Sequence, residues 1–364
     1  MVKSFISSKE GCLAATLRYR RLRKSDKKGL CELFYEVFGD GKGTDYWDWK
    51  YYQNPAGPHA SVIALNGSEV VGILGGIPVR MKVGDDTLLA CQGVDTVVSG
   101  QYRKSSTFFK LEAGISEEME KADLAFRYAF TIKETYRLFT TARGFSAICP
   151  IIKMSKVINP RPYLRQKMEI DLLADMLGGV AKCAIRKWNK KKLSVPKGVD
   201  IVDTSRFDHR FDDLWQRERG KYEIAVARNS DYLNWRYVDA PRRYKVFSAE
   251  SGQIVKGFIA LGCYKEEVAR GRILDIMVES GQKKLMELLI TRAINYFVDQ
   301  EVDVITCWML ERWPAFHALK EKGFVPRQTP HDLIVRSYRP DKIRNEYLAD
   351  SSRWYATMGD SDYY

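Results

Sequence analysis

Apolar residues recur along this chain at two spacings, and the places where one gives way to the other mark out its elements. From Lys24 to Phe38 the apolar positions Leu30, Leu33, Phe34 and Val37 fall three and four apart, which predicts an amphipathic helix. Ser61 to Leu65 and Val70 to Val79 read as strands joined by Asn66-Gly67, a strong hairpin signal. Leu88 to Val98 is a further β-rich run, and Phe108 to Ala122 returns to helical spacing through Phe108, Leu111, Ile115, Met119 and Ala122. A strand over Leu124 to Phe130, a helix over Ile132 to Thr141 and a strand over Ser146 to Ile152 follow. Further on, the pieces are Val255 to Cys263, Arg272 to Val278, Lys284 to Val298, Val302 to Met309 and Trp313 to Lys322. They repeat the order strand, strand, helix, strand, helix.

The second series echoes the first in its residues as well. Asp45-Tyr46-Trp47-Asp48-Trp49-Lys50-Tyr51 returns as Asp231-Tyr232-Leu233-Asn234-Trp235-Arg236-Tyr237, and each copy then reaches a proline at the same distance, Pro55 and Pro241. Val94-Asp95-Thr96-Val97-Val98 is answered by Leu274-Asp275-Ile276-Met277-Val278, and each copy later meets a Gly-Phe pair, Gly144-Phe145 and Gly323-Phe324. Three echoes in one order indicate an internal duplication, and two copies predict paired domains rather than a solenoid. The expected division is residues 1–160, a basic connection over 161–200 and residues 201–364. The aromatic and acidic ending, Arg353 through Asp362, is expected to pack against a domain rather than trail away.

A chain of 364 residues accommodates two such domains and buries an ample core. Its seven cysteines stand singly and its four histidines never fall at metal-ligand spacing, so a disulfide framework and a metal site are not expected. No apolar run approaches the length of a membrane span, and residues 1–17 lack a signal core, which places the protein in the cytoplasm with no membrane partner. The net charge of +13 changes the picture by favouring anionic partners. Arg18 to Lys28 and Lys182 to Lys197 carry much of the excess; each reads either as a solvated face or as a polyanion surface. Nucleic acid stays among the candidate partners, but neither cluster has the aromatic interleaving of a single-strand binder.

Candidate chemistry concentrates where the strand ending at Val98 runs through Ser99-Gly100-Gln101-Tyr102-Arg103-Lys104-Ser105-Ser106-Thr107 into a helix. Free N–H groups at a helix start attract a phosphate, Arg103 and Lys104 add charge, and the three hydroxyls can donate. Taken alone, a polar loop that merely caps its helix reads the same way.

Strand, Tyr-Arg loop, helix, strand, helix and Gly-Phe together resemble the GNAT superfamily of N-acetyltransferases. Trp49-Lys50-Tyr51, Asn54-Pro55, the Val94–Val98 strand, Tyr102-Arg103 and the Gly-Asp-Ser-Asp ending resemble its tandem-domain members in particular. The resemblance implies an α/β fold with a mixed sheet, two tandem acyl-CoA N-acyltransferase domains, and acetyl-CoA or another acyl-CoA as cofactor. It places pantetheine against Thr96, Val97 and Val98, and pyrophosphate over Tyr102 and the stretch Arg103, Lys104, Ser105, Ser106, Thr107. It implies an amine acceptor, a small molecule such as an amino sugar, and a catalytic carboxylate and tyrosine. Asp95 and, in the second copy, Asp275 are the carboxylate candidates on the matching strand, with structural hydrogen bonding as the rival reading. The family's tyrosine position holds Thr140, so Tyr136, one turn earlier, is the candidate acid, with core packing as its rival. Trp47, Trp49 and Tyr51 are candidates for an acceptor cleft, with packing again as the rival.

Two departures qualify the resemblance. Ser106 and Phe108 stand at the loop's glycine positions, and the second copy's Gly281-Gln282-Lys283-Lys284 lacks the loop. The second copy is therefore expected to be structural or to help form the substrate cleft. A non-catalytic binding protein on the same fold, and a transferase using aminoacyl-tRNA, are the competing functions. The sequence leaves the oligomeric state open.

Overall fold

The computed structural model describes residues 17–39, 41–103, 106–165, 184–185, 187–188, 190, 193–265 and 267–362. Most of the expected basic connection, with Lys104 and Ser105, lies outside the described residues.

The first half runs β1 (Arg18–Arg21), α1 (Lys27–Phe38), a helical stretch over residues 44–52, β2 (Val62–Asn66), β3 (Glu69–Val83) and β4 (Asp86–Val98). It continues with α2 (Thr107–Lys121), β5 (Phe126–Ile132), α3 (Lys133–Ala142) and β6 (Ser146–Val157). The second half answers with β7 (Asp200–Thr204), α4 (His209–Glu218), β8 (Ile224–Val226), α5 (Ser230–Tyr237), β9 (Tyr244–Ser251) and β10 (Ile254–Tyr264). Then come β11 (Arg270–Val278), α6 (Lys283–Asp299), β12 (Val304–Trp308), α7 (Pro314–Glu321), β13 (Val325–Ser337) and the short β14 (Trp354–Tyr355).

The expected stripes do bury their helices. Leu30, Leu33 and Phe34 seat α1, and Leu111, Ile115 and Met119 seat α2, each such side chain contributing about 1.5–3 kcal/mol. The Asn66-Gly67 hairpin joins β2 to β3 in antiparallel register, with Asn66 opposite Glu69.

All the strands belong to one mixed sheet, whose main path is β1-β2-β3-β4-β5-β13-β6-β12-β11-β10-β9-β7. The two copies trade strands at its centre. The long strand β13 of the second copy lies beside β5 of the first, with His331–Ser337 against Ile132–Phe126. The last strand of the first copy, β6, lies beside β12 of the second, with Lys153–Val157 against Trp308–Val304. Because β6 also pairs with β13, the sheet is continuous, and the halves share backbone hydrogen bonds as well as side-chain packing. A core cluster containing Phe126, Tyr128 and Met154 from the first half and Leu333, Ile273 and Ile305 from the second spans this seam. Among the described residues no helix is long and apolar enough to cross a membrane, and no His, Cys, Asp and Glu cluster could hold a metal ion.

Candidate active site

In the first copy, β4 and β5 pair in parallel only from Cys91 to Gly93, opposite Arg127 to Ala129. Beyond Gly93 the strands part, and Val94 to Val98 keep β3 as their one strand neighbour among the described residues. The chain then turns through Gly100–Tyr102, with Tyr102 N–H donating to the Ser99 carbonyl at 2.9 Å, and enters α2 at Thr107. Asn66 Nδ2 donates to the Tyr102 hydroxyl at 3.1 Å, and the exposed Arg103 donates from Nε to the Val98 carbonyl at 3.0 Å. Among the described residues, Ser106 at the start of α2 makes no side-chain cap. The structure thus gathers Thr96, Val97, Val98, Tyr102, Arg103, Ser106 and Thr107 on one strand-turn-helix, the geometry that suits a diphosphate. Phe108, in the first turn of α2, packs edge-on against Phe139 of α3 at 5.3 Å. Tyr136 is half-buried against the apolar cluster built around Leu111, Ile115 and Phe139.

Asp95 keeps different company. Its backbone sits at φ +48°, where the β3–β4 register slips. Its carboxylate accepts from the Tyr51 hydroxyl at 2.5 Å and pairs with Lys50 Nζ at 2.7 Å. Lys50 also pairs with Asp362 of the C-terminal tail at 3.0 Å. Burial opposes the charge on Lys50, but Asp362 and Asp95 outweigh it and hold the ammonium above its ordinary value. Burial pushes the Asp95 carboxyl up, against the pull of Lys50. No hydrogen bond or ion pair joins Asp95 to Tyr136, so the two candidates for acid and base work are not brought together.

The second copy repeats this arrangement with changed parts. Tyr237 donates to Asp275 at 3.3 Å, and the fully buried Arg228 bridges Asp275 at 3.0 Å and Asp360 of the tail at 2.8 Å. Asp95 and Asp275, matched in the repeat, therefore each hold a tyrosine and a cation, and the tail supplies each cation with a second carboxylate. Sequence reasoning did not find the roles of Lys50, Arg228, Asp360 and Asp362; the alternation of acids in Gly359-Asp360-Ser361-Asp362 was the available signal.

Trp47 and Tyr51 are buried in the core rather than lining an open acceptor cleft: Trp47 packs edge-on against Phe34 of α1, and Tyr51, in the π-helical turn Asp48–Tyr52, meets His59 and Asp95. Trp49 borders a cavity of about 20 Å³ among Lys50, Gln92, Trp235, Arg236 and Asp362. That is room for one water, and the buried Gln92 Nε2, without a partner, lies at its wall.

A far larger opening lies in the second copy. β11 and β12 pair from Arg270 to Ile273 opposite Val304 to Cys307, then separate. A cavity of about 630 Å³ follows, bounded by Ile276 and Val278 of β11, the start of α6, and α7.

Residues 18–140 match the family described as the acetyltransferase (GNAT) domain. These residues are a GNAT domain. No curated protein sequence matches the chain. Solved structures that resemble it over most of its length include the following three. A probable N-acyltransferase from Enterococcus faecalis V583 aligns at TM-score 0.60 and 10% identity, covering 92% of this chain and 74% of the other. Saccharomyces cerevisiae N-myristoyltransferase with bound myristoyl-CoA aligns at TM-score 0.63 and 10% identity, covering 89% and 83%. A GCN5-related N-acetyltransferase from Anabaena variabilis ATCC 29413 aligns at TM-score 0.59 and 12% identity, covering 89% and 73%. At such identities the likeness speaks of fold, and the fold is that of tandem GNAT-type N-acyltransferases.

The GNAT match begins at β1 and ends within α3, so it contains the parted strand β4, the Tyr102-Arg103 turn and Tyr136. It stops before β6, and it excludes β13, the strand the second half lends to this domain.

Proposed function

We propose that this protein is an N-acyltransferase that moves an acetyl or longer acyl group from acyl-CoA to the primary amine of a small molecule, such as an amino sugar. The carrying observation is the parting of β4 from β5 beyond Gly93, on the strand that leads into α2, inside the matched GNAT domain. No described strand pairs with Thr96 to Val98 on that side, which leaves an edge for an extended amide-bearing chain such as pantetheine, with the Val98 carbonyl held by Arg103 Nε. The α2 start with Arg103, Ser106 and Thr107 suits a diphosphate. The positive net charge favours the anionic donor as well as an anionic acceptor.

Acyl transfer requires an unprotonated amine and a proton for the leaving thiolate. In this reading Tyr136 is the residue to test as the acid, being half-buried on the helix that follows β5. Asp95, already bonded to Lys50 and Tyr51, acts as a positioning residue that holds the slipped strand at the site. Tyr136→Phe is then expected to lower kcat with unfolding unchanged, whereas Asp95→Asn should lower activity and stability together.

The test of the donor site is calorimetric titration of the full chain with acetyl-CoA, repeated on Arg103→Glu. Saturable micromolar binding that the substitution weakens at least tenfold supports the reading. A wild-type protein that binds neither acetyl-CoA nor a longer acyl-CoA overturns it.

A further inference from the structure

The opening in the C-terminal copy lies outside the strand-turn-helix just described and encloses about 630 Å³. That volume lies in the range of small-molecule sites. Three rings form the floor. Tyr222 and Tyr355 lie 4.6 Å apart between centroids, Trp313 and Tyr355 4.9 Å, and Tyr222 and Trp313 5.1 Å. Two of them are locked by their polar ends: Trp313 Nε1 donates to the Trp354 carbonyl at 3.0 Å, and the Tyr355 hydroxyl donates to the Ile276 carbonyl at 2.5 Å. The third, the buried Tyr222, lines the cavity, and its hydroxyl bonds to none of the described residues. Met286 from α6 and Ala315 and Ala318 from α7 complete apolar walls, and the two alanines leave the width open.

The mouth has the opposite character. α6 runs for seventeen residues and starts without a side-chain cap. Gly281, at φ +78°, has no atom within 4 Å of where a Cβ would stand, so a ligand can approach the backbone there. The charges at the rim nearly cancel in pairs: Glu279 with Lys256 at 2.9 Å, Glu321 with Lys283 at 2.9 Å and Lys221 with Glu218 at 2.7 Å. Arg312 is the remainder. It lies over the Trp313 ring at 5.2 Å and forms no ion pair with a described residue.

We propose that this cleft is a second ligand site that takes an amphipathic anion, its apolar chain or ring on the floor of Tyr222, Trp313 and Tyr355, its phosphate or carboxylate at Arg312 and the start of α6. An apolar body matches the walls, the unbonded Tyr222 hydroxyl offers one polar contact along the way, and the helix start with Arg312 meets the head. Two sources share this chemistry: a second molecule of a long-chain acyl thioester, or a different phosphorylated or carboxylated amphiphile.

The test titrates the full chain with decyl phosphate, and separately with decanoyl-CoA, in four forms: wild type, Met286→Trp to fill the cleft, Arg312→Glu to reverse the head contact, and Arg103→Glu in the first copy. Saturable decyl phosphate binding is expected in the wild type, weakened at least tenfold by Met286→Trp and by Arg312→Glu, and unchanged by Arg103→Glu. Arg312 is exposed, so its replacement leaves the fold intact even if the larger Met286→Trp does not. If decanoyl-CoA occupies two sites, one lost with Arg103→Glu and the other with Met286→Trp, the occupant is a second thioester. If it occupies only the Arg103 site while decyl phosphate still fills the cleft, the occupant is another amphiphile. Absence of saturable decyl phosphate binding to the wild type overturns the proposal, as does binding indifferent to Arg312→Glu. Either result leaves the acetyl-CoA titration of the first copy to stand or fall separately.

Discussion

Trp49 and Trp235 stack across the two copies with ring centroids 5.0 Å apart and planes 19° from parallel. Each indole N–H donates to the other residue's backbone carbonyl, at 2.6 Å from Trp49 and 3.0 Å from Trp235. They occupy the same place in the repeat, so this exchange marks a local pseudo-twofold relation between the halves. Replacing Trp235 by Phe keeps a ring but strips the Trp49 carbonyl of its donor, which should cost about 1–3 kcal/mol. Replacing it by Ala should cost about 3–5 kcal/mol through the cavity left behind. Urea unfolding of Trp49→Ala, Trp235→Ala and the double variant should show a coupling of about 0.5–3 kcal/mol; strictly additive losses would contradict the relation.

The C-terminal tail ties both halves together through buried charge. Arg228 is wholly enclosed and bonds Asp275 and Asp360, whereas Lys50 bonds Asp95 and the more accessible Asp362. Arg228→Met leaves two buried carboxylates without their cation, so a loss of about 3–5 kcal/mol is expected. Lys50→Met should cost less, because Asp362 can turn to solvent. Chemical denaturation of the two variants ranks them, and an equal or reversed order refutes the clamp as drawn.

The repeat made much of this fold legible. Helical stripes such as Leu111, Ile115 and Met119 and the Asn66-Gly67 hairpin are local signals, and local structure followed them. β13 was not legible because its first half, Val325 to Pro330, is polar, largely exposed and interrupted by Pro326 and Pro330, and its register against β6 breaks between Gln328 and Asp332. The strand exchange was hidden for a related reason: apolar periodicity says which face is buried, not which neighbouring strand completes the sheet. At the candidate site, the strand-turn-helix was visible as a motif, since its residues are contiguous. The ion pairs of Asp95 and Asp275 were not, because their cations come from the segments preceding β2 and β9 and are shared with carboxylates of the distant tail. The C-terminal cleft escaped notice because a wide opening needs small residues, and Ala315 and Ala318 announce nothing in a sequence.

Gly359 is required where the tail crosses Tyr237. A Cβ there would collide with the Tyr237 hydroxyl, which is bonded to Asp275, and stand 3.0 Å from the Leu274 carbonyl of β11. Gly359→Ala should push Tyr237 away from Asp275 and destabilise the protein by about 1–3 kcal/mol. In the double variant with Tyr237→Phe, which removes the colliding oxygen, part of that loss should return. A Gly359→Ala protein that unfolds with the wild type would show that the tail does not seat there.

His59 gives the stability a dependence on acid that can be calculated in advance. It is buried beside Tyr51 and Tyr52, and its Nδ1 accepts from Ser61 N–H at 3.2 Å, which requires the neutral ring. Burial first, and the Arg21 charge second, push its pKa down from 6.5 to about 4. In the unfolded chain the ring takes up a proton near its ordinary value, while the folded protein resists until about 4. The contribution of His59 is therefore whole above pH 7 and drains away as pH falls through that window. Between pH 7 and 5 the loss should be about 2 kcal/mol, since each unit of difference in proton uptake corresponds to about 1.4 kcal/mol. His59→Gln keeps an acceptor for Ser61 but cannot be protonated, so its urea midpoint should fall less steeply over the same range. Parallel pH profiles for variant and wild type would mean that the folded protein protonates His59 as readily as the unfolded chain does.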